Sequence, residues 1–123
     1  MLQNILLQVS ENLKKNSDLN EKQIEILIKK MRFWKKNTIV YPSNIKSALY
    51  IDYKKTYYIL NKIKDMGILD YSYELYCSKC EKFLDRSFDT LNELPKEIYC
   101  DEQHKLNPFS DVIVVYKVIY DGK

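Results

Sequence analysis

Glycine occurs twice in this 123-residue chain, proline three times, and tryptophan and histidine once each. The scarcities of glycine and histidine each remove a class of function. A phosphate-cradling loop needs glycines close together, and Gly67 and Gly122 lie far apart, so no Gly-rich nucleotide loop can be built. A histidine-based acid/base or nucleophile pair has only His104 to draw on, and a ligand motif described below claims it. The carboxylates Asp85, Asp89, Glu93, Glu97, Asp101 and Glu102 are strung along the C-terminal part and read as a solvated face rather than a paired acid/base site. Catalysis is not expected. No window approaches the roughly 18 apolar residues of a membrane span. The N-terminal stretch MLQNILLQVSENLKKNSD also lacks the basic leader and apolar run of a signal peptide, so a cytoplasmic protein with no membrane partner is expected. No Ser/Gly/Pro tract marks a linker, and the length suits one domain, or a small domain with an appended module.

The net charge of +3 conceals a separation. Residues 1–19 carry 2 basic and 2 acidic side chains, residues 20–71 carry 11 and 5, and residues 72–123 carry 7 and 10. A basic block followed by an acidic one points to modules with different partners, the basic one suited to a polyanion.

Hydrophobic spacing sets the elements. Leu2, Ile5, Leu6, Val9 and Leu13 form one helical stripe over residues 2–15. Ser17, Asp18 and Asn20 are candidate caps for a second helix over 21–36, with Ile24, Leu27, Ile28, Met31 and Trp34 on its stripe and Ile26 and Phe33 off it. TIVY reads as a short strand ended by Pro42. PSNIKSALY reads as a short helix with Ser43 as a candidate cap. IDYKKTYYILNKIKDMG follows as a longer helix, capped by Asp52, ended by Gly67 in a left-handed conformation, and buried along Ile59, Leu60 and Ile63. Beyond Gly67, ILDYSYELYC alternates apolar and polar residues as a half-buried strand does.

All three cysteines and the one histidine fall into two half-sites. Cys77 and Cys80 in YCSKC, with Cys100 and His104 in CDEQH, give C-x2-C-x19-C-x3-H. Zinc takes four such ligands in a tetrahedron, and a C-x2-C turn offers two thiolates without backbone strain. In a reducing compartment three cysteines serve as metal ligands or free thiols rather than a disulfide frame. The competing reading is ordinary thiols and a surface histidine. A full set of four protein ligands leaves no open position, so Zn2+ here is expected to be structural.

The order helix, strand, helix, helix, strand resembles that of winged-helix proteins, in which two helices form a helix-turn-helix and the following hairpin forms the wing. Residue by residue, the likeness rests on Ile59, Leu60 and Ile63 before Gly67, and on Ile68 and Leu69 after it. The tyrosine-bearing segments YELYC and EIYC, followed by the strand-like VIVVYKVIY, resemble a zinc ribbon, although Ser78, Lys79 and Glu81 stand where ribbon knuckles often carry proline and glycine. The expectation is therefore an α+β chain in three parts: an N-terminal amphipathic helix over 1–19, a winged helix-turn-helix over 20–73 and a three-stranded zinc ribbon over 74–123. In order of elements this resembles the alpha subunit of the general transcription factor TFIIE and its archaeal relatives. It is similar also to small helix-turn-helix and zinc-ribbon proteins of bacterial and phage loci, including anti-phage defence systems.

The resemblance implies a DNA-binding regulator or adaptor. With Ile59, Leu60 and Ile63 buried, Lys54, Lys55, Tyr57, Tyr58, Asn61 and Lys62 are expected to face double-stranded DNA, with Lys46 reaching the flanking backbone. No Arg lies on this helix, which argues against strong base-specific readout. The alternative is a protein-interaction subunit of a transcription or defence complex, docking through the acidic ribbon or the first helix. That helix either packs on the winged helix, covering Ile26 and Phe33, or pairs with a copy of itself in a homodimer.

Overall fold

A computed structural model describes residues 3–120, apart from the side chain of Asp85; Leu2 lies outside the described residues. The architecture is α+β. The helices are α1 (Gln3–Asn16), α2 (Glu21–Met31), α3 (Pro42–Leu49) and α4 (Tyr53–Asp65). The strands are β1 (Ile39–Val40), β2 (Leu69–Cys77), β3 (Lys82–Phe88), β4 (Ile98–Tyr99), β5 (Lys105–Leu106) and β6 (Val112–Val118). One sheet runs in the order β1-β6-β2-β3, and β4 and β5 form a second, two-stranded one. No helix among the described residues is long and apolar enough to cross a membrane.

The chain divides into two compact units, Met1–Asp70 with Tyr116–Lys123, and Tyr71–Val115. These limits replace boundaries at 19/20 and 73/74. The first helix belongs to the larger unit, because Leu6, Val9 and Leu13 lie in the same buried cluster as Ile24, Leu27 and Met31 of α2 and Ile59, Leu60 and Ile63 of α4. The last strand is shared. Its C-terminal end pairs antiparallel with β1, Ile39 opposite Lys117 and Val40 opposite Tyr116, and Tyr116 and Val118 are fully buried in the larger unit's core. The third strand expected of a ribbon thus leaves Tyr71–Val115 and closes the helical unit.

Local chemistry explains the helix limits. Asn20 caps α2 in a reciprocal box: its Oδ1 accepts from the Gln23 amide at 2.8 Å, and its own amide donates to Gln23 Oε1 at 2.9 Å. That satisfies two of the amides a helix N-terminus leaves orphaned. Asp52 caps α4 through a single bond, accepting from the Lys55 amide at 2.8 Å. Gly67 follows that helix at φ +82°, the left-handed region glycine enters without steric cost. Ser43 does not cap α3; Tyr41 holds that position with no side-chain bond, and Pro42 follows in the first turn. The second helix stops at Met31, short of Lys36, and the chain turns through Phe33 and Trp34. Trp34 still reaches the core, whereas Phe33 is 82% exposed and is not covered by α1.

Candidate metal centre

The smaller unit is two hairpins, each with a ligand pair at its turn. Between β2 and β3 the chain turns through Cys77 to Cys80, and the Cys80 amide donates to Cys77 Sγ at 3.5 Å. Glu81 then takes φ +56°, in the left-handed region that glycine enters most easily. Between β4 and β5, two bonds join Cys100 and His104: the Cys100 amide donates to the His104 carbonyl at 3.0 Å, and the His104 amide donates to Cys100 Sγ at 3.4 Å. Gln103, at φ +65°, supplies the left-handed residue of this second turn. Amide donation to sulfur favours the thiolate form, as a metal ligand requires.

The four side chains meet. Cys80 Sγ lies 3.6 Å from Cys100 Sγ. His104 Nδ1 lies 3.7 Å from Cys77 Sγ, 3.2 Å from Cys80 Sγ and 3.3 Å from Cys100 Sγ. Every ligand atom is within 4.8 Å of the others. Zinc bonds of about 2.3 Å to sulfur and about 2.0–2.1 Å to nitrogen set tetrahedral edges of about 3.8 Å between sulfurs and about 3.5 Å between sulfur and nitrogen. The four separations given lie close to such edges, with Nδ1 as the histidine donor, and these residues could hold a metal ion. Cys77 and Cys100 are buried, and Cys80 and His104 half-buried.

Crowding three thiols together separates their acidities. Burial, together with the neighbouring Cys100 and Cys77 thiols, pushes the Cys80 thiol up to about 12. For Cys100, burial acts in the same direction but is outweighed by bonds from the His104 and Glu102 amides and the Cys80 thiol, which bring it down to about 7. Cys100 therefore ionises before Cys80. Around the ligands lies a small core of Leu75, Phe88, Ile98 and Leu106, with Tyr73, Leu84, Leu94 and Val112 half-buried against it. So few apolar residues supply little folding free energy, which is the circumstance in which small domains rely on metals or disulfides.

The seven residues expected at DNA do not form one outward face. On α4, Lys54 and Tyr58 are exposed, and the Lys62 ammonium sits 5.2 Å over the Tyr58 ring. Lys46 of α3 sits 5.2 Å over the ring of Tyr53. Lys55 is half-buried and paired with Asp18 at 2.9 Å, and its hydrogen-bonding ammonium holds that carboxyl below the usual carboxylate pKa. Tyr58 also donates from its hydroxyl to the Asn16 carbonyl at 2.9 Å, so the end of α1 lies beside this edge of α4. Tyr57 and Asn61 turn inward instead. The Tyr57 ring packs 6.3 Å from that of buried Tyr116, burial raises its phenol, and Asn61 Oδ1 accepts from the Tyr116 hydroxyl at 2.7 Å. Both serve the β6 closure.

Two exposed aromatics escape a reading based on the buried stripe of α4. Tyr50 ends α3 with φ +56° and is 92% exposed, and Tyr53, the first residue of α4, is 49% exposed. The signal available in the sequence was their position between the two helices, YIDY, beside Lys46 and Lys54. No protein-family model, curated protein or solved structure matches the chain.

Proposed function

We propose that the chain is a non-enzymatic DNA-binding regulator or adaptor, built as a winged helix whose wing carries a structural zinc site. The observation that carries this reading is the return of β6. In it, α3 and α4 are the helix-turn-helix, and β2 and β6, neighbours in the sheet, are the two strands of the hairpin that follows, with residues 78–111 inserted between them. Pairing of β6 with β1, which precedes α3, ties that hairpin to the helices. The zinc-bearing segment is then an elaborated wing rather than a separate C-terminal ribbon.

In this reading the exposed edge of α4 meets the duplex. Lys54 and Lys62 face phosphates, with Lys46 at the flank, and Tyr58 adds a hydroxyl and an aromatic face. Zn2+, held by Cys77, Cys80, Cys100 and His104, supplies folding free energy and no reaction, since four protein ligands leave no position for water or substrate. The absence of an Arg on α4 points to positioning on the backbone more than to reading of guanine edges.

The test is a titration of blunt duplex DNA at several salt concentrations. Affinity falls steeply with salt for the wild type, and the combined Lys54→Gln and Lys62→Gln change lowers the slope of log affinity against log salt by about 2, one phosphate per lysine. A slope that does not change in the variant overturns the placement. The second reading, a protein-interaction subunit, is favoured by one feature: exposed Phe33 borders a recess of about 300 Å³ lined also by Trp34, Ile39, Val40 and Ile45. Folded wild-type protein that binds no duplex at low salt supports that second reading.

A further inference from the structure

Tyr50 is held in a conformation its side chain disfavours, at a place where it buries nothing. Its φ of +56° and ψ of +49° put it in the left-handed region at the end of α3, where glycine or asparagine is the ordinary choice. A bulky non-glycine residue there is an outlier, and at 92% exposure no packing compensates it. Observed strain of this kind points toward function.

Its surroundings indicate the ligand. The Tyr50 amide donates to the Lys46 carbonyl, and the Ile51 amide donates to the same carbonyl at 3.3 Å, which closes the helix and fixes the turn. The Lys46 ammonium lies over Tyr53, the half-exposed ring that opens the next helix. Lys54 is exposed beside it, while the one carboxylate of the turn, Asp52, is engaged in capping α4 through the Lys55 amide. One helix corner therefore gathers two exposed aromatic rings, exposed Lys54 and half-buried Lys46, whose ammonium lies against the Tyr53 ring.

Aromatic rings interleaved with cations are how proteins hold unpaired nucleotides: bases stack on the rings and phosphates meet the cations. Bases inside a duplex have no free face to offer. We infer that the corner formed by Tyr50, Tyr53, Lys46 and Lys54 binds unpaired bases of single-stranded DNA, so that the protein prefers duplexes with a single-stranded extension over blunt ones. This rests on the DNA-binding reading and adds a second contact to it. Tyr50 and Tyr53 stack on bases, and the lysines hold the adjoining phosphates.

The test uses the full chain, a 20-mer oligothymidine, a blunt duplex and the same duplex with a short overhang, compared by fluorescence anisotropy at fixed salt. Tyr50→Gly is the informative variant, because it removes the ring and relieves the backbone, so it folds at least as well as the wild type. Tyr50→Gly and Tyr53→Ala are each expected to weaken binding of the oligothymidine and the overhang duplex by roughly 5- to 150-fold, the range of one stacked base. Tyr50→Phe keeps the affinity, and blunt-duplex binding changes less than twofold in Tyr50→Gly. Equal affinity of Tyr50→Gly and wild type for the overhang duplex overturns the inference alone, as does an equal loss on blunt and overhang duplexes. Failure of the wild type to bind any of the three at low salt overturns this inference together with the DNA-binding reading.

Discussion

Replacing Cys80 by serine tests the metal centre where its geometry is most explicit. Cys80 Sγ lies 3.6 Å from Cys100 Sγ and 3.2 Å from His104 Nδ1, and its loss removes one vertex of the tetrahedron and the three edges that meet there. Structural zinc sites contribute about 10–16 kcal/mol at neutral pH; shared over four ligands, that is roughly 3–4 kcal/mol each, or 10²- to 10³-fold in affinity. A hydroxyl recovers little of it, because it does not ionise in this range and is a poor zinc ligand. The assay is competition with a chromophoric chelator, using fully reduced protein. Wild type is expected to hold one zinc per chain, and Cys80→Ser to hold it 10²- to 10³-fold more weakly. Acidification acts in the same direction. Zinc needs thiolates, and with Cys100 at about 7 and Cys80 at about 12 in the metal-free site, protons compete increasingly as pH falls. Affinity therefore drops by more than tenfold between pH 7.5 and 6.5, since more than one proton is displaced. Wild-type protein with well under one equivalent of zinc, or a serine variant that binds as tightly, refutes the reasoning.

Other residues carry separate expectations. Gly67→Ala meets no atom within 4 Å of the added carbon, so its cost is confined to the left-handed backbone, about 1 kcal/mol in urea denaturation; several kcal/mol would reveal a clash that the structure lacks. Leu60→Ala empties a fully buried site shared by α1, α2 and α4, and 2–5 kcal/mol of stability is expected to go with it, readable in the same denaturation experiment. Tyr116→Phe removes the 2.7 Å bond to Asn61 and costs about 1 kcal/mol of stability while duplex affinity stays within twofold, because Asn61 is turned to the core; a large loss of affinity would return Asn61 to the DNA face.

Much of the fold was legible because its signals are local. The spacing of Leu6, Val9 and Leu13, the cap at Asp52, the glycine at 67 and the four ligands can each be read within a few residues or from a complete ligand count. What escaped depends on partners distant in sequence. Tyr57 and Asn61 lie on the flank of α4, where helical spacing alone leaves orientation open, and Tyr116 decides it from 55 positions further on. The same strand moved the domain boundary: VIVVYKV is apolar enough to suit either unit, and only its pairing with Ile39 and Val40 assigns its end to the helices. Phe33 was expected under α1 because the helix was extended too far; once α2 stops at Met31, the turn carries Phe33 into solvent. Nothing local signals that stop, since no glycine or proline follows until Pro42.

The most direct measurement of the central proposal is the map of backbone amide shifts as zinc-loaded, isotopically labelled protein is titrated with a short duplex at low salt. Perturbations are expected to concentrate on α3 around Lys46 and on the edge of α4 at Lys54, Tyr58 and Lys62, with the turn at Tyr50, α2 and the metal ligands nearly unmoved. Shifts confined to the acidic segment or to the Phe33 recess, or none at all, would contradict it.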